Sequence, residues 1–116
     1  MKIQSMDQNG QFRRLYRRGK SQVTPTMVVY ALPNGKKVRR LGITAGKKVG
    51  GAVIRNRAKR RIRELFRINQ EHLKDGYDFC IVARTRTASA PYDKLVRDFC
   101  YAMKQLEVIA DESFGD

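Results

Sequence analysis

The apolar residues of this chain recur at helical spacing in three places. In each segment they fall three and four positions apart, so that one side of the helix would pack on a core. The predicted helices span about residues 9–18, 52 to 72 or 73, and 92–108. Their core-facing positions are Phe12, Leu15 and Tyr16, then Ile54, Ala58, Ile62, Leu65 and Phe66, and finally Leu95, Phe99, Met103 and Leu106.

Three other segments have the patterns of strands. Residues 23–32 and 38–45 alternate between two faces, and the turn signal Pro33-Asn34-Gly35 between them predicts that these two strands pair. Residues 77–83 are apolar on both faces, which is typical of a central strand. This order of elements in one unit predicts an α+β fold, with helices packed over a small sheet.

The charged residues are distributed unevenly along the 116 residues. Residues 1–70 hold nineteen Lys or Arg and two acids, a net charge of +17, whereas residues 71–116 hold six Lys or Arg and nine acids, a net charge of −3. A polyanionic partner would therefore meet the first two-thirds of the chain. A basic balance of this size in a chain with 41% apolar residues favours a folded nucleic-acid-binding protein.

The helix predicted from residue 52 concentrates this charge on its polar side. That side collects Asn56, Lys59, Arg60, Arg63 and Arg67. Its single acid, Glu64, is expected near Arg60 and Arg61. Because like charges repel one another, the helix is interpreted as an element that lies against a polyanion; a merely solvated basic face is the alternative.

The glycine-bearing loop before this helix, residues 46–51, fits no nucleotide-binding motif. A P-loop needs four residues between its glycines followed by Gly-Lys-Ser/Thr, and here Gly42 and Gly46 enclose three. Free amides at a helix N-terminus, together with Lys47, Lys48 and Arg55, still favour contact with a phosphate backbone. Ordinary turn chemistry is the alternative.

Residues that could catalyse a reaction are scarce. The basic two-thirds offers Asp7 and Glu64 as its carboxylates, and the chain has one histidine, His72, so an autonomous nuclease is disfavoured. Cys80 and Cys100 occur without a Cys-x-x-Cys motif and are expected to be free thiols of a cytoplasmic protein. No apolar run is long enough to span a membrane.

One stretch of the sequence is similar to a known family. The run Gly46–Arg67, with Arg55-Asn56-Arg57 at its centre, resembles the signature of the bacterial ribonuclease P protein subunit. The resemblance covers about residues 10–108 and includes Phe12-x-x-x-Tyr16-x-x-Gly19, Val28-Val29-Tyr30, Leu41-Gly42-Ile43 and the strand from Asp78 to Arg84. Gly46 departs from the family pattern, which usually has serine there, so the resemblance implies the cationic contacts of this loop but no hydroxyl contact at residue 46.

The resemblance implies a more detailed fold. It is a single ribonuclease P protein domain over residues 1–116, with a small four-stranded sheet, the element order α-β-β-β-α-β-α and an acidic tail at 111–116 that frays. The βαβ crossover around the basic helix is expected to be left-handed, against the usual rule.

The resemblance also implies a function. The chain would be the accessory protein subunit of an endoribonuclease holoenzyme that removes the 5′ leader of precursor tRNA, with the catalytic groups and the required Mg²⁺ in the RNA subunit. The implied partners are the catalytic RNA and precursor tRNA, with no membrane, no obligate protein partner and no cofactor in a protein-only site.

Two sets of binding residues follow from the resemblance, and none is catalytic. The set expected to bind catalytic RNA is Lys47, Lys48, Arg55, Asn56, Arg57, Lys59, Arg60, Arg63 and Arg67. The set expected to bind the single-stranded leader, in a cleft between the first helix and the sheet, is Phe12, Tyr16, Val28, Tyr30 and Val82. From composition alone, the three aromatic residues of this set fit either base stacking or an ordinary core.

Two other functions compete with this interpretation. A ribosomal or general RNA-binding protein without a role in tRNA processing would share the charge, the size and the basic helix. A DNA-binding helix-turn-helix module is disfavoured, because the basic helix follows a glycine loop and a strand rather than a short bracing helix.

Overall fold

A computed structural model describes residues 3–6 and 9–111 as a five-stranded sheet with three helices. The strands are β1 (Ile3–Ser5), β2 (Lys20–Val23), β3 (Met27–Pro33), β4 (Arg39–Thr44) and β5 (Tyr77–Ala83), and the helices are α1 (Asn9–Arg18), α2 (Ala52–Asn69) and α3 (Tyr92–Gln105). The α+β class predicted from the sequence is confirmed. The tail expected to fray, residues 111–116, lies outside the described residues except for Asp111.

The helices begin where the apolar periodicity predicts them. α1 has the predicted bounds, whereas α2 and α3 end a few residues early. α2 tightens into a 3-10 turn over Gln70–His72, and the chain turns after α3 because Glu107 has a φ of 60°, in the left-handed region. The prediction that Ile54 faces the core is wrong: the residue is 45% exposed. Ala52 and Val53 beside it in the first turn of α2 are exposed too, and Ile54 lies close to Gly50 instead.

The described sheet has five strands, not the predicted four, in the order β1-β4-β5-β3-β2. β1 is three residues long, too short to show a periodicity in the sequence. The segment 23–32, predicted as one strand, is divided between β2 and β3, which form a hairpin around Pro25. Thr24 closes this turn, because its hydroxyl donates to the Met27 carbonyl at 2.7 Å and accepts from the Met27 amide at 3.0 Å.

The predicted pairing of β3 with β4 is wrong, because β5 lies between them. β5 runs parallel to β4 and antiparallel to β3. The turn after Pro33 does not close a hairpin. The backbone amide of Asn34 donates to the Gly76 carbonyl, and the backbone amide of Gly76 donates to the Val38 carbonyl. The residue just before β5 therefore lies between the end of β3 and the start of β4. β5 is therefore central, as its apolar pattern predicts. The left-handed sense of the β4–α2–β5 crossover stays a prediction.

The two faces of the sheet carry separate apolar clusters. On one face, α2 and α3 cover alternate residues of β3, β4 and β5, and Phe66 packs edge-on against Phe79 and Phe99 with ring centroids 5.4 and 6.3 Å apart. On the other face, α1 buries Leu15 against Cys80. The alternation of β3 follows the prediction, since odd-numbered positions face α2 and α3 and even-numbered ones face α1. α1 and α2 thus lie on opposite sides of the sheet.

A buried ion pair joins β4 to β5 on the α1 side. The Arg40 guanidinium donates to both carboxylate oxygens of Asp78, each at 2.6 Å. The side-chain amide of Asn34 donates to the same carboxylate at 3.0 Å. The two side chains of the pair are 14% and 6% exposed. A second bidentate pair, Glu64 with Arg67, is 50% and 61% exposed. Glu64 thus pairs with Arg67 rather than with the predicted Arg60 or Arg61.

These two pairs provide a matched test of burial. Asp78→Asn leaves the buried Arg40 guanidinium without its anion, and breaking a buried pair in this way costs about 3–5 kcal/mol. Glu64→Gln makes the same chemical change at an exposed pair and is expected to leave the unfolding transition almost unmoved. Urea denaturation followed by circular dichroism measures both. Equal losses in the two variants would contradict this account of the sheet.

Candidate nucleic-acid interface

Aromatic side chains cluster where α1 packs on the sheet, at the place where the resemblance implies a cleft. Phe12 and Tyr16 are one turn apart on the sheet-facing side of α1, with ring centroids 6.4 Å apart. Tyr30 of β3 meets Tyr16 edge-on at 4.9 Å. Val28 of β3 and Val82 of β5 are cross-strand partners on the same face of the sheet as Tyr30, and they lie next to the Tyr30–Cys80 pair on that face. The structure thus brings together all five residues predicted to bind a leader; we name these five the aromatic cleft.

The Phe12 ring lies directly on the backbone of β4. A Cβ atom at Gly42 would fall 2.5 Å from Cε1 and 2.7 Å from Cζ of Phe12, closer than side chains approach one another. The glycine therefore allows the Phe12 ring to lie against β4. Sequence reasoning treated Gly42 as one position of an alternating strand. Its contact with Phe12 was missed because the two residues are 30 positions apart.

The chemistry of the cleft is that of neutral rings. Tyr16 is 42% exposed, and its hydroxyl lies 3.5 Å from Cys80 Sγ. Partial burial, followed by this hydrogen bond, raises the pKa of Tyr16 to about 12. Burial also raises the pKa of the Cys80 thiol. The phenol and the thiol are therefore uncharged at neutral pH, which suits stacking on bases rather than ionic contact.

The loop cations lie at one end of this cleft. Lys47 and Lys48 are exposed in a 3-10 turn just before α2. Together with Val82 and Arg84 they line a groove of about 400 Å³. Arg84 was not predicted; its guanidinium donates to the Thr24 carbonyl at 2.9 Å. The two lysines were predicted to bind catalytic RNA. Their position beside Val82 would also bring them into contact with single-stranded RNA bound in the cleft.

The cationic residues of α2 and Asn56, apart from Arg55, divide into three groups. Asn56 and Arg60 are exposed on its outward side. Lys59, Arg63 and Arg67 line a groove of about 360 Å³ that has Met6, Leu41 and Ile43 as its apolar floor and Ser5 at its edge. Arg57 and Arg61 face the connection between β5 and α3. Arg55 is half-buried, and its Nε atom has no hydrogen-bond partner among residues 3–6 and 9–111.

The third group of α2 fixes the helix to the fold. Arg61 donates to the carbonyls of Thr87, Ala88 and Ala90 at 2.8, 2.9 and 2.7 Å. Arg57, predicted to bind RNA, gives its Nε–H to the Ala88 carbonyl at 2.9 Å. Burial, and then the charge of Arg57, lowers the pKa of Arg61. This second role for arginines of the basic helix was missed because their partners are backbone carbonyls, which leave no mark in the sequence.

Other chemistry has little basis in the described part of the chain. Within it, no three His, Cys, Asp or Glu side chains come together as metal ligands, and none of its helices has the length and hydropathy to cross a membrane. Cys80 and Cys100 are both buried free thiols.

The sequence and the fold both match known proteins. Residues 1–107 match the profile of the family described as Ribonuclease P. The ribonuclease P protein component of Natranaerobius thermophilus is 38% identical over 107 residues, which cover 92% of this chain and 93% of the relative. That of Clostridium botulinum is 43% identical over 93 residues, which cover 79% and 84% of the two chains.

Two solved structures show the same likeness. The RNase P protein of Staphylococcus aureus superposes with a TM-score of 0.81 at 31% identity, covering 92% of this chain and 98% of that one. The protein from Thermotoga maritima superposes with a TM-score of 0.71 at 28% identity, covering 83% and 88%.

The raised pKa of Tyr16 predicts a dependence of stability on pH. Because the pKa rises from 10.0 to about 12 on folding, the stability that the neutral phenol contributes is fully present below pH 10 and is lost as the pH rises to about 12. The free energy of unfolding of the wild type should therefore fall more steeply over this range than that of Tyr16→Phe. Tyr101→Phe, at an exposed position of α3, is the control. Parallel profiles for wild type and Tyr16→Phe would contradict the proposed burial of the phenol.

Proposed function

This chain belongs to the ribonuclease P family of proteins, and we propose that its two surfaces divide the binding of RNA between them. As the protein component of ribonuclease P, the chain serves tRNA 5′ processing as part of an endoribonuclease holoenzyme. The proposal assigns the catalytic RNA to the exposed cations of α2 and the single-stranded leader of precursor tRNA to the aromatic cleft. The observation that carries it is the separation of a cationic helix from a neutral aromatic cleft by one sheet.

The electrostatics of α2 support the first assignment. No acid occurs in the sequence between Asp7 and Glu64, so the exposed cations of the first turns have no intrahelical partner to neutralise them. Arg57 and Arg61 hold the helix to backbone carbonyls, so the outward Arg60 projects from a fixed support. Guanidinium groups held in this way suit phosphate, which they bind through two parallel hydrogen bonds.

The geometry of the cleft supports the second assignment. Proteins hold single-stranded RNA by placing aromatic rings under bases and cations along the backbone. Tyr16 offers a partly exposed ring, and Lys47 and Lys48 border the same floor at Val82. Because only the precursor has a leader, a cleft that binds the leader favours substrate over product.

Hydrolysis is assigned to the RNA subunit, which also holds the required Mg²⁺. In this arrangement the protein lowers the repulsion between two polyanions, the catalytic RNA and the precursor, and provides no reacting group. A cytoplasmic location, the lack of an obligate protein partner and the lack of a cofactor bound by the protein alone stay predictions. A general RNA-binding protein, the alternative, would share the charge of α2 but would show no dependence on a leader.

Reconstitution tests the assignment of α2. The protein, added to a bacterial ribonuclease P RNA at low Mg²⁺, should restore cleavage of precursor tRNA, whereas protein with Mg²⁺ alone should not cleave. With about six phosphate contacts, the log–log dependence of RNA affinity on salt has a slope of about −4. Replacing both Arg60 and Arg63 by Ala should flatten the slope to about −3 and weaken assembly. The control removes two cations of α3, in Arg97→Ala with Lys104→Ala. A slope unchanged by the α2 substitutions would count against the assignment.

Substitution in the aromatic cleft tests the assignment of the leader. The loss of one base–aromatic stack costs about 1–3 kcal/mol, so Tyr30→Ala should weaken binding of leader-bearing tRNA at least about fivefold. Its affinity for mature tRNA should not change. Tyr101→Ala, outside the cleft, is the matched control, and equilibrium binding to both RNAs is the measurement. Equal losses for the two RNAs would show a folding defect and remove support for a leader site.

A further inference from the structure

The outward side of α1 consists of arginines. Arg13, Arg14, Arg17 and Arg18 are all exposed, and with Gly10 they line a trough of about 380 Å³. Arg13 and Arg17 lie on the side of α1 opposite the buried Leu15, whereas Arg14 and Arg18 lie on its flank. Arg18 also lines a cavity with Ala31 and Leu32 of β3. We name these four residues the α1 arginine face. It is separate from both RNA-binding surfaces assigned above, since none of its residues belongs to the aromatic cleft or to α2.

The fold accounts for only half of this face. None of the four guanidinium groups has a hydrogen bond or ion pair within residues 3–6 and 9–111. Arg17 and Arg18 lie in the last turn of the helix, where a positive charge stabilises the helix dipole. Arg13 and Arg14 lie before that turn and have no such role.

The charged residues of α3 are distributed differently from those of α1. Its exposed and half-buried side chains mix both signs, with Asp93 and Asp98 among Lys94, Arg97 and Lys104. In α1 the four arginines are mixed with no acid, and their mutual repulsion destabilises the free protein. The use of arginine alone, without lysine, indicates contact with an anion that a planar guanidinium binds through two hydrogen bonds.

The position of α1 determines which anion can be reached. α1 and α2 cover opposite faces of the sheet in a molecule of 36 × 36 × 23 Å. An RNA surface that lies flat on the outward side of α2 therefore cannot also lie on the α1 arginine face. The anion on α1 must belong to a separate segment of RNA or to a strand that crosses over α1 from the aromatic cleft.

We propose that the α1 arginine face is a further phosphate-binding surface, so that the protein lies between two RNA segments on opposite sides of its sheet. The proposal rests on the proposed function, since it takes the partner from the same ribonucleoprotein. Gly10, at the trough, has no side chain, and an added Cβ there meets nothing within 4 Å. A sugar–phosphate backbone can thus approach the helix closely. The phosphates come either from the part of the leader beyond the cleft or from the catalytic RNA.

The first test removes the two arginines that lack a role in the fold. Arg13→Gln with Arg14→Gln is compared with Arg97→Gln and Lys104→Gln on α3, which removes the same charge from another helix. Binding is measured over a salt series to ribonuclease P RNA and to precursor tRNA with a short and a long leader. The α1 variant should flatten the log–log slope by about 1.4–1.8 for at least one of these RNAs, while the control does not.

Each outcome of this comparison decides something. A change for the catalytic RNA assigns the surface to that RNA, and a change for the long leader alone assigns it to the distal leader; both support the proposal. Slopes equal to those of the α3 control for all three RNAs overturn it. The α2 substitutions Arg60→Ala and Arg63→Ala separate the two hypotheses, because a loss there with none from α1 removes this proposal and leaves the proposed function intact.

The second test locates the RNA directly. Gly10→Cys and Gly46→Cys each place a thiol where an added Cβ meets nothing within 4 Å, and the native Cys80 and Cys100 are buried. An iron chelate tethered at either position cleaves nearby RNA in the assembled holoenzyme with bound precursor. The chelate at residue 10 should cut nucleotides different from those cut from residue 46. No cleavage from residue 10, or cleavage at the same nucleotides from both positions, overturns the proposal.

Discussion

The arrangement of this molecule depends on the central position of β5. The strand is parallel to β4 and antiparallel to β3, and its side chains alternate between two apolar clusters. Because both of its faces are covered, helices must lie on both sides of the sheet. α2 and α3 pack on one side and α1 on the other. The cationic helix and the aromatic cleft are thereby held apart, and each can take a different RNA without competing for the same surface.

The electrostatics of the chain follow from this separation. A net charge of +14 on 116 residues would repel itself strongly if it occupied one patch. The fold spreads the cations over α1, the loop before α2 and α2 itself. Arg61, whose guanidinium binds three carbonyls, shows that part of the charge also acts within the protein. Under the proposed function, the remaining exposed cations would neutralise RNA on more than one side of the protein.

Local features of the fold were predictable from the sequence, and non-local ones were not. The helix starts, the central strand and the alternation of Met27 to Tyr30 depend on neighbouring residues, and the structure confirms them. The order of strands depends on β5, which lies between β3 and β4 in the sheet although it follows both of them, and α2, along the chain. The sequence therefore favoured a β3–β4 hairpin that does not form. The cleft residues were identified through a family resemblance, while the contact of Phe12 with Gly42 could be found only in the structure.

The contact between Gly42 and Phe12 also bears on how such a cleft can diverge among relatives. The absence of a side chain at Gly42 fixes where the Phe12 ring can lie, since one added carbon at residue 42 would displace that ring from β4. No charged group takes part in that contact. Substitutions at different positions of the chain can therefore change the packing of the Phe12 ring and the attraction of the nearby cations for RNA independently of each other.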